Sequence, residues 1–171
     1  LDNTAGRNHS LSAGTSWLFD SGYLGVSVSD MENLYGIPTV AGGEAGLHID
    51  MQQKRYDMAG EWDDPVAVID ALRWRLTYTD YEHGEIENTG SVGTRFTNQT
   101  WQNRLELVHQ EIAGWHGVVG LQLARSDFAA IGAESFIPES ITSNAGIFVV
   151  EDYHRNALVY EFGLRVDRDN V

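Results

Sequence analysis

Leu72-Arg73-Trp74-Arg75-Leu76-Thr77-Tyr78-Thr79 decides the fold. Leu72, Trp74, Leu76 and Tyr78 share one parity, and Arg73, Arg75, Thr77 and Thr79 hold the other. A helix would wind the two arginines into the apolar stripe, whereas a strand sorts them onto one face. The same sorting recurs outward from this stretch. Leu24, Val26 and Val28 alternate with Gly25, Ser27 and Ser29; Trp101, Leu105 and Leu107 with Gln102, Arg104 and Glu106. Leu158, Tyr160, Phe162, Leu164 and Val166 alternate with Val159, Glu161, Gly163, Arg165 and Asp167. The pattern predicts an all-β chain, an antiparallel up-and-down meander of about eight strands forming part of a transmembrane β-barrel. The strands are expected near 9–19, 22–30, 47–62, 68–82, 94–110, 117–127, 145–153 and 157–167.

Connections fall into two alternating classes. Short turns are expected at Asp20-Ser21-Gly22, Asp63-Asp64-Pro65, Ala113-Gly114-Trp115-His116 and His154-Arg155-Asn156, and long loops over 31–46, 84–93 and 128–144. Outer-membrane barrels segregate short periplasmic turns from long external loops in this way. The segments 47–62, 68–82 and 94–110 also exceed the usual strand length of roughly five or six residues. Aromatic residues mark both ends: Trp17, Phe19, Tyr23 and Trp115 by the short turns, and Tyr78, Tyr81 and Trp101 toward the long loops. Two interfacial belts are the expected reading.

Composition narrows the functions. Among 171 residues the net charge is -14, which leaves no basic stripe for phosphates and argues against a nucleic-acid partner. With no cysteine, neither a disulfide framework nor a thiolate metal site is available. Mean hydropathy is -0.29, and no run approaches the roughly 18 apolar residues of a membrane helix. No Gly-x-Ser-x-Gly elbow, phosphate-binding loop or dinucleotide fingerprint appears, so no enzymatic role is expected. Leu1 carries no leader ahead of it and Asp167-Arg168-Asp169-Asn170-Val171 reads as the start of a loop, so the chain is expected to be a section of a larger barrel.

One constellation has metal-ligand chemistry. Glu44, His48 and Asp50 combine imidazole and carboxylate donors of the kind that hold a borderline cation such as zinc, with His48 and Asp50 on one strand face. Asp30 and Glu32 flank the same loop. Tyr81-Glu82-His83-Gly84-Glu85-Ile86-Glu87 forms a second acidic, His-containing stretch, and His109, His116, Tyr153 and His154 gather at the short turns.

Several ordered strings carry a family resemblance: Gly25-Val26-Ser27-Val28-Ser29, Asn33-Leu34-Tyr35-Gly36-Ile37-Pro38, Ile49 through Asp57, Trp74 through His83, Phe96-Thr97-Asn98-Gln99 and Arg104 through His109. Together they resemble the barrel of TonB-dependent outer-membrane receptors, most closely the zinc-uptake branch. The resemblance implies a location in the outer membrane of a Gram-negative bacterium and active uptake of a metal ion or metal chelate. It also implies partners: the lipid bilayer, the receptor's own plug domain, the remaining strands of a barrel of about 22, and a TonB complex met through a segment outside this chain. Zinc-type receptors often carry a His-rich loop after the Tyr-Gly-Ile-Pro opening, whereas Thr39 through Gly46 here contains no His. Two other readings are a complete eight-stranded outer-membrane barrel with a structural or adhesive role, and a soluble lipocalin-like binding barrel with its apolar parity turned inward.

Overall fold

A computed structural model describes residues 3–38, 46–132 and 135–171. They form one antiparallel sheet in simple sequence order: β1 (Gly6–Phe19), β2 (Gly22–Gly36), β3 (His48–Val66), β4 (Ile69–Ile86), β5 (Val92–Ile112), β6 (Trp115–Gly132), β7 (Ser140–Arg155) and β8 (Leu158–Asn170). The meander is as expected, and the sheet is not closed, since each of β1 and β8 has a neighbour on one side only.

Every strand extends further than its apolar alternation. β4 runs to Ile86 and β5 starts at Val92, which shrinks the expected 84–93 loop to 87–91. The alternation fades there because the convex face turns polar and acids enter both parities, but the backbone ladder does not depend on apolar side chains. The second short turn lies at Ala67-Val68 rather than at Asp63-Asp64-Pro65. Those residues form an irregularity between Asp63 and Val66 instead, with Asp64 at a φ of 49°. A proline and a left-handed residue fit a bulge as well as a turn, and the sequence does not separate the two. At the third short turn Ala113 and Gly114 both have positive φ, 55° and 87°, as a type I′ hairpin requires.

Residues directly opposite in the ladder share a face, so the register aligns rows across the sheet. One row reads Trp62, Leu72, Leu107, Val119, Val149, Leu164. The next reads Trp17, Leu24, Gly60, Trp74, Leu105, Leu121, Ile147, Val166. Two rows further on lie Tyr56, Tyr78, Trp101 and Arg125, and beyond them the same face turns polar with Asp30, Lys54, Asp80, Gln99 and Asp127. The other face carries Glu61, Arg73 and Glu106 in one row and Arg75, Arg104, Gln122 and Asp167 near the next.

Burial tells the faces apart physically. The buried side chains among the described residues are Ile49, Ala71, Thr77, Thr94, Val108, Ala130 and Phe148, and all seven stand on the charged face. A curled sheet crowds side chains on its concave side and splays them on its convex side, so the charged face is concave and the apolar face convex. The surface is correspondingly large: 11730 Å² against about 8,400 Å² for a globule of 19.0 kDa.

Phe148 is the largest of these buried residues. Its ring lies over Gly120, where an added Cβ would fall only 2.0 Å from Cζ. The Gly120→Val substitution is therefore expected to displace the ring and destabilise the sheet by about 1–3 kcal/mol. The shift in unfolding midpoint measures this, and adding Phe148→Ala in the same chain should recover part of the loss.

Candidate functional site

The concave face is built in two zones. Toward the short turns it is charged. Arg73 Nε donates to Glu61 Oε2 at 3.1 Å, and Arg104 Nη2 lies 2.6 Å from Glu106 Oε1. Gln122 Oε1 accepts from Arg104 Nη1 at 3.3 Å and from Arg165 Nη1 at 3.2 Å, joining β5 to β8 over β6 and β7. Arg165 also donates to both oxygens of Asp167, and the Arg104 guanidinium lies 4.3 Å from the Phe148 ring centroid. Arg73, Arg75, Arg104, Glu106, Glu161 and Arg165 were all expected on one face, and the register puts them there. Most of these pairs are half-exposed, so they organise the face more than they stabilise it.

Toward the long loops the same face becomes aromatic. The His83 ring stacks on Phe96 with centroids 4.6 Å apart and 13° between planes. Tyr81 meets His83 edge-on at 5.5 Å, and Phe128 stands 6.4 Å from Phe96. Beside them Asn98 Oδ1 accepts hydrogen bonds from the Thr100 and Ser126 hydroxyls. His83 Nδ1 is buried without a hydrogen-bond partner among the described residues. Rings with a few convergent polar groups suit recognition of a partly apolar ligand. The sequence pattern predicts a loop from residue 84 and puts Tyr81 in an aromatic belt. The strand continues through it, and its parity turns Tyr81 and His83 inward.

The expected metal residues behave differently. His48 opens β3, with Nδ1 2.7 Å from the Gly46 carbonyl oxygen, and Asp50 follows two residues later on the same face. That face is the convex one, shared with Gly84 and Leu34, and not the concave one. Glu44 lies outside the described residues. No three His, Asp or Glu side chains converge among the described residues. Of the group expected at the short turns, His109 and His116 stand with ring centroids 6.1 Å apart, each beside a carboxylate. His109 Nε2 lies 3.0 Å from Glu151 Oε2, and His116 Nε2 lies 3.6 Å from Asp70 Oδ2, while Tyr153 packs on Trp115 instead. Gly117 makes room for the first pair, because a Cβ there would fall 2.7 Å from Glu151 Cδ.

No protein-family model matches this sequence.

His83 lies five residues beyond the Tyr78 row, where the convex face is already polar. Burial lowers its pKa below the ordinary value of 6.5, opposed in part by the nearby Glu85 carboxylate. Between the folded and unfolded pKa values the unfolded chain binds more protons, so this group removes stability as pH falls below the unfolded value. The unfolding midpoint should therefore drop between about pH 7.5 and about pH 5 in excess of the background. His83→Phe, which keeps the stack on Phe96, should flatten that part of the profile; an unchanged slope would show that His83 does not titrate abnormally.

Proposed function

We propose that this chain is a section of the wall of an outer-membrane β-barrel of the TonB-dependent receptor type, serving active uptake of a metal ion or metal chelate. The observation that carries the membrane part is the distribution of tryptophan. All five, Trp17, Trp62, Trp74, Trp101 and Trp115, lie on the convex apolar face. Trp115 with Tyr153 and Tyr160, and Trp101 with Tyr56 and Tyr78, mark the two margins of an aliphatic band, while Trp74 stands inside it between Leu72 and Leu76. Along β6 that band runs ten residue steps, from Trp115 to Arg125. Ten residues of strand tilted by about 40° rise roughly 25 Å, the height of the apolar belt of outer-membrane barrels.

The curl favours a membrane barrel over a lipocalin-like one. A soluble binding barrel turns its apolar parity inward, whereas here the concave side holds the arginines and glutamates. An outward apolar face suits lipid, and an inward charged face suits a channel or an internal protein segment. The two open edges, β1 and β8, suit a sheet continued by further strands. The alternative of a complete barrel of eight strands would need β1 and β8 to meet.

The receptor type, the plug, the TonB complex and the metal cargo rest on the resemblance of the ordered sequence strings. In this reading the long loops and the aromatic zone around His83 face the outside and meet the ligand first. A cation held by Glu44, His48 and Asp50 would be met at the outer rim, because His48 and Asp50 stand on the convex side.

Two experiments bear on this function. In vesicles whose acyl chains carry bromine, the tryptophan emission of the folded protein should be strongly quenched, while acrylamide in the water should quench little; the opposite pattern would sink the membrane placement. For the cargo, zinc ions should raise the thermal midpoint of the intact receptor by several degrees, and the Glu44→Ala, His48→Ala double substitution should abolish that shift. A zinc response untouched by the substitution would move the metal elsewhere.

A further inference from the structure

We propose that the concave face contains a carboxylate-binding site centred on Arg75 and Arg104. Arg75 on β4 stands directly opposite Arg104 on β5. Directly opposed residues bring their Cβ atoms to about 5 Å, and like charges so placed repel. Directly across on its other side is Ala59, which supplies no charge; Asp57, on the diagonal, feels the Arg75 charge but spends its hydrogen bonds on Arg55 and Thr77. Carboxylates near this row are already engaged. Glu61 accepts from Arg73, Glu106 pairs with Arg104, and Asp57 takes two hydrogen bonds from Arg55 and one from the Thr77 hydroxyl. Arg75 itself makes no ion pair or side-chain hydrogen bond among the described residues.

Arg75 nevertheless does not face a featureless surface. Together with Arg73, Arg104, Glu61, Glu106 and Tyr23 it lines a cavity of about 520 Å³. Three guanidinium groups against two carboxylates leave this cavity with an excess positive charge, in a chain whose net charge is -14. A carboxylate lodged between Arg75 and Arg104 would convert their repulsion into two charge-assisted contacts, and the planar guanidinium is shaped to take both carboxylate oxygens. The carboxylate can come from a small acid in the lumen or from an Asp or Glu of a protein segment packed inside the sheet. The site depends on the concave face alone, so it stands or falls separately from the lipid contact of the convex face.

The test uses the intact protein folded in detergent micelles. Citrate, compared with sodium chloride at equal ionic strength, should raise the thermal midpoint by several degrees if the site takes free acids. Arg75→Gln should remove that rise, whereas Arg95→Gln, on the other face beside Glu82, should keep it. If a protein segment supplies the carboxylate, citrate has no effect, and the Arg75→Lys variant treated with a carbodiimide should form an amide between position 75 and an Asp or Glu outside β1–β8. That variant keeps a positive charge, so the site can still be probed if Arg75→Gln does not fold. A citrate rise equal in Arg75→Gln overturns the proposal when position 75 also forms no adduct beyond the sheet. Absence of both responses overturns it too, as does an adduct confined to Asp57, Glu61 or Glu106.

Discussion

Cross-strand register is the constraint on which the rest of this structure depends. Side chains alternate with a period of two, so a slip of one residue between any two strands would carry a whole apolar set to the opposite face. From Trp17 on β1 to Val166 on β8 the pairing keeps a single unbroken row on the convex side. Tight turns help to hold it: Asp20-Ser21, Ala67-Val68, Ala113-Gly114 and Asn156-Ala157 leave the strands little freedom to slide. The concave side adds its own pins. Gln122 binds the arginines of β5 and β8 together, and Phe148 fills the space left by Gly120.

Alternation within one strand can be read from the sequence, and so the eight strands, their order and the charged parity were legible. Leu72 and Trp74 against Arg73 and Arg75 leave little choice. What that alternation does not contain is the direction in which the sheet bends. The same Leu72-Arg73-Trp74 pattern would serve a soluble barrel with its leucines inside. The bend shows only when burial is compared between faces: Thr77 is buried while Tyr56 and Trp101 are largely exposed.

The candidate site was legible in part, for the same reason. His48 and Asp50 were correctly placed on one face, but which face follows from pairing with Leu34 and Gly84, which sequence spacing does not reveal. The His83 zone was passed over because Glu82, Glu85 and Glu87 make the stretch look like a solvated loop. Glu82, however, alternates with Tyr81 and His83, which stand on the face that carries Phe96 and Phe128. The signal was Tyr81 and His83 at equal parity, two residues apart, which a loop has no reason to keep.

A sheet of this kind inverts the usual accounting of a protein interior. Most of its large apolar residues are exposed, and its charges crowd the side where side chains are most confined. Charges are costly to confine unless paired, and the concave face answers by pairing at short range: Arg55 with Asp57, Arg104 with Glu106 and Arg165 with Asp167 are each two residues apart on one strand. Such pairs form whatever strand lies alongside, so they survive changes in neighbouring strands or in whatever the sheet encloses. Arg75 breaks that rule. Its own strand offers Arg73 and Thr77 at the same spacing, neither of which can neutralise it, and the strands beside it present Ala59 and Arg104 directly opposite, with Asp57 only on the diagonal and already bonded to Arg55. A face that pairs its other arginines, Arg55, Arg73, Arg104 and Arg165, has left Arg75 without such a contact among the described residues, and that opening is where its surroundings have most to contribute.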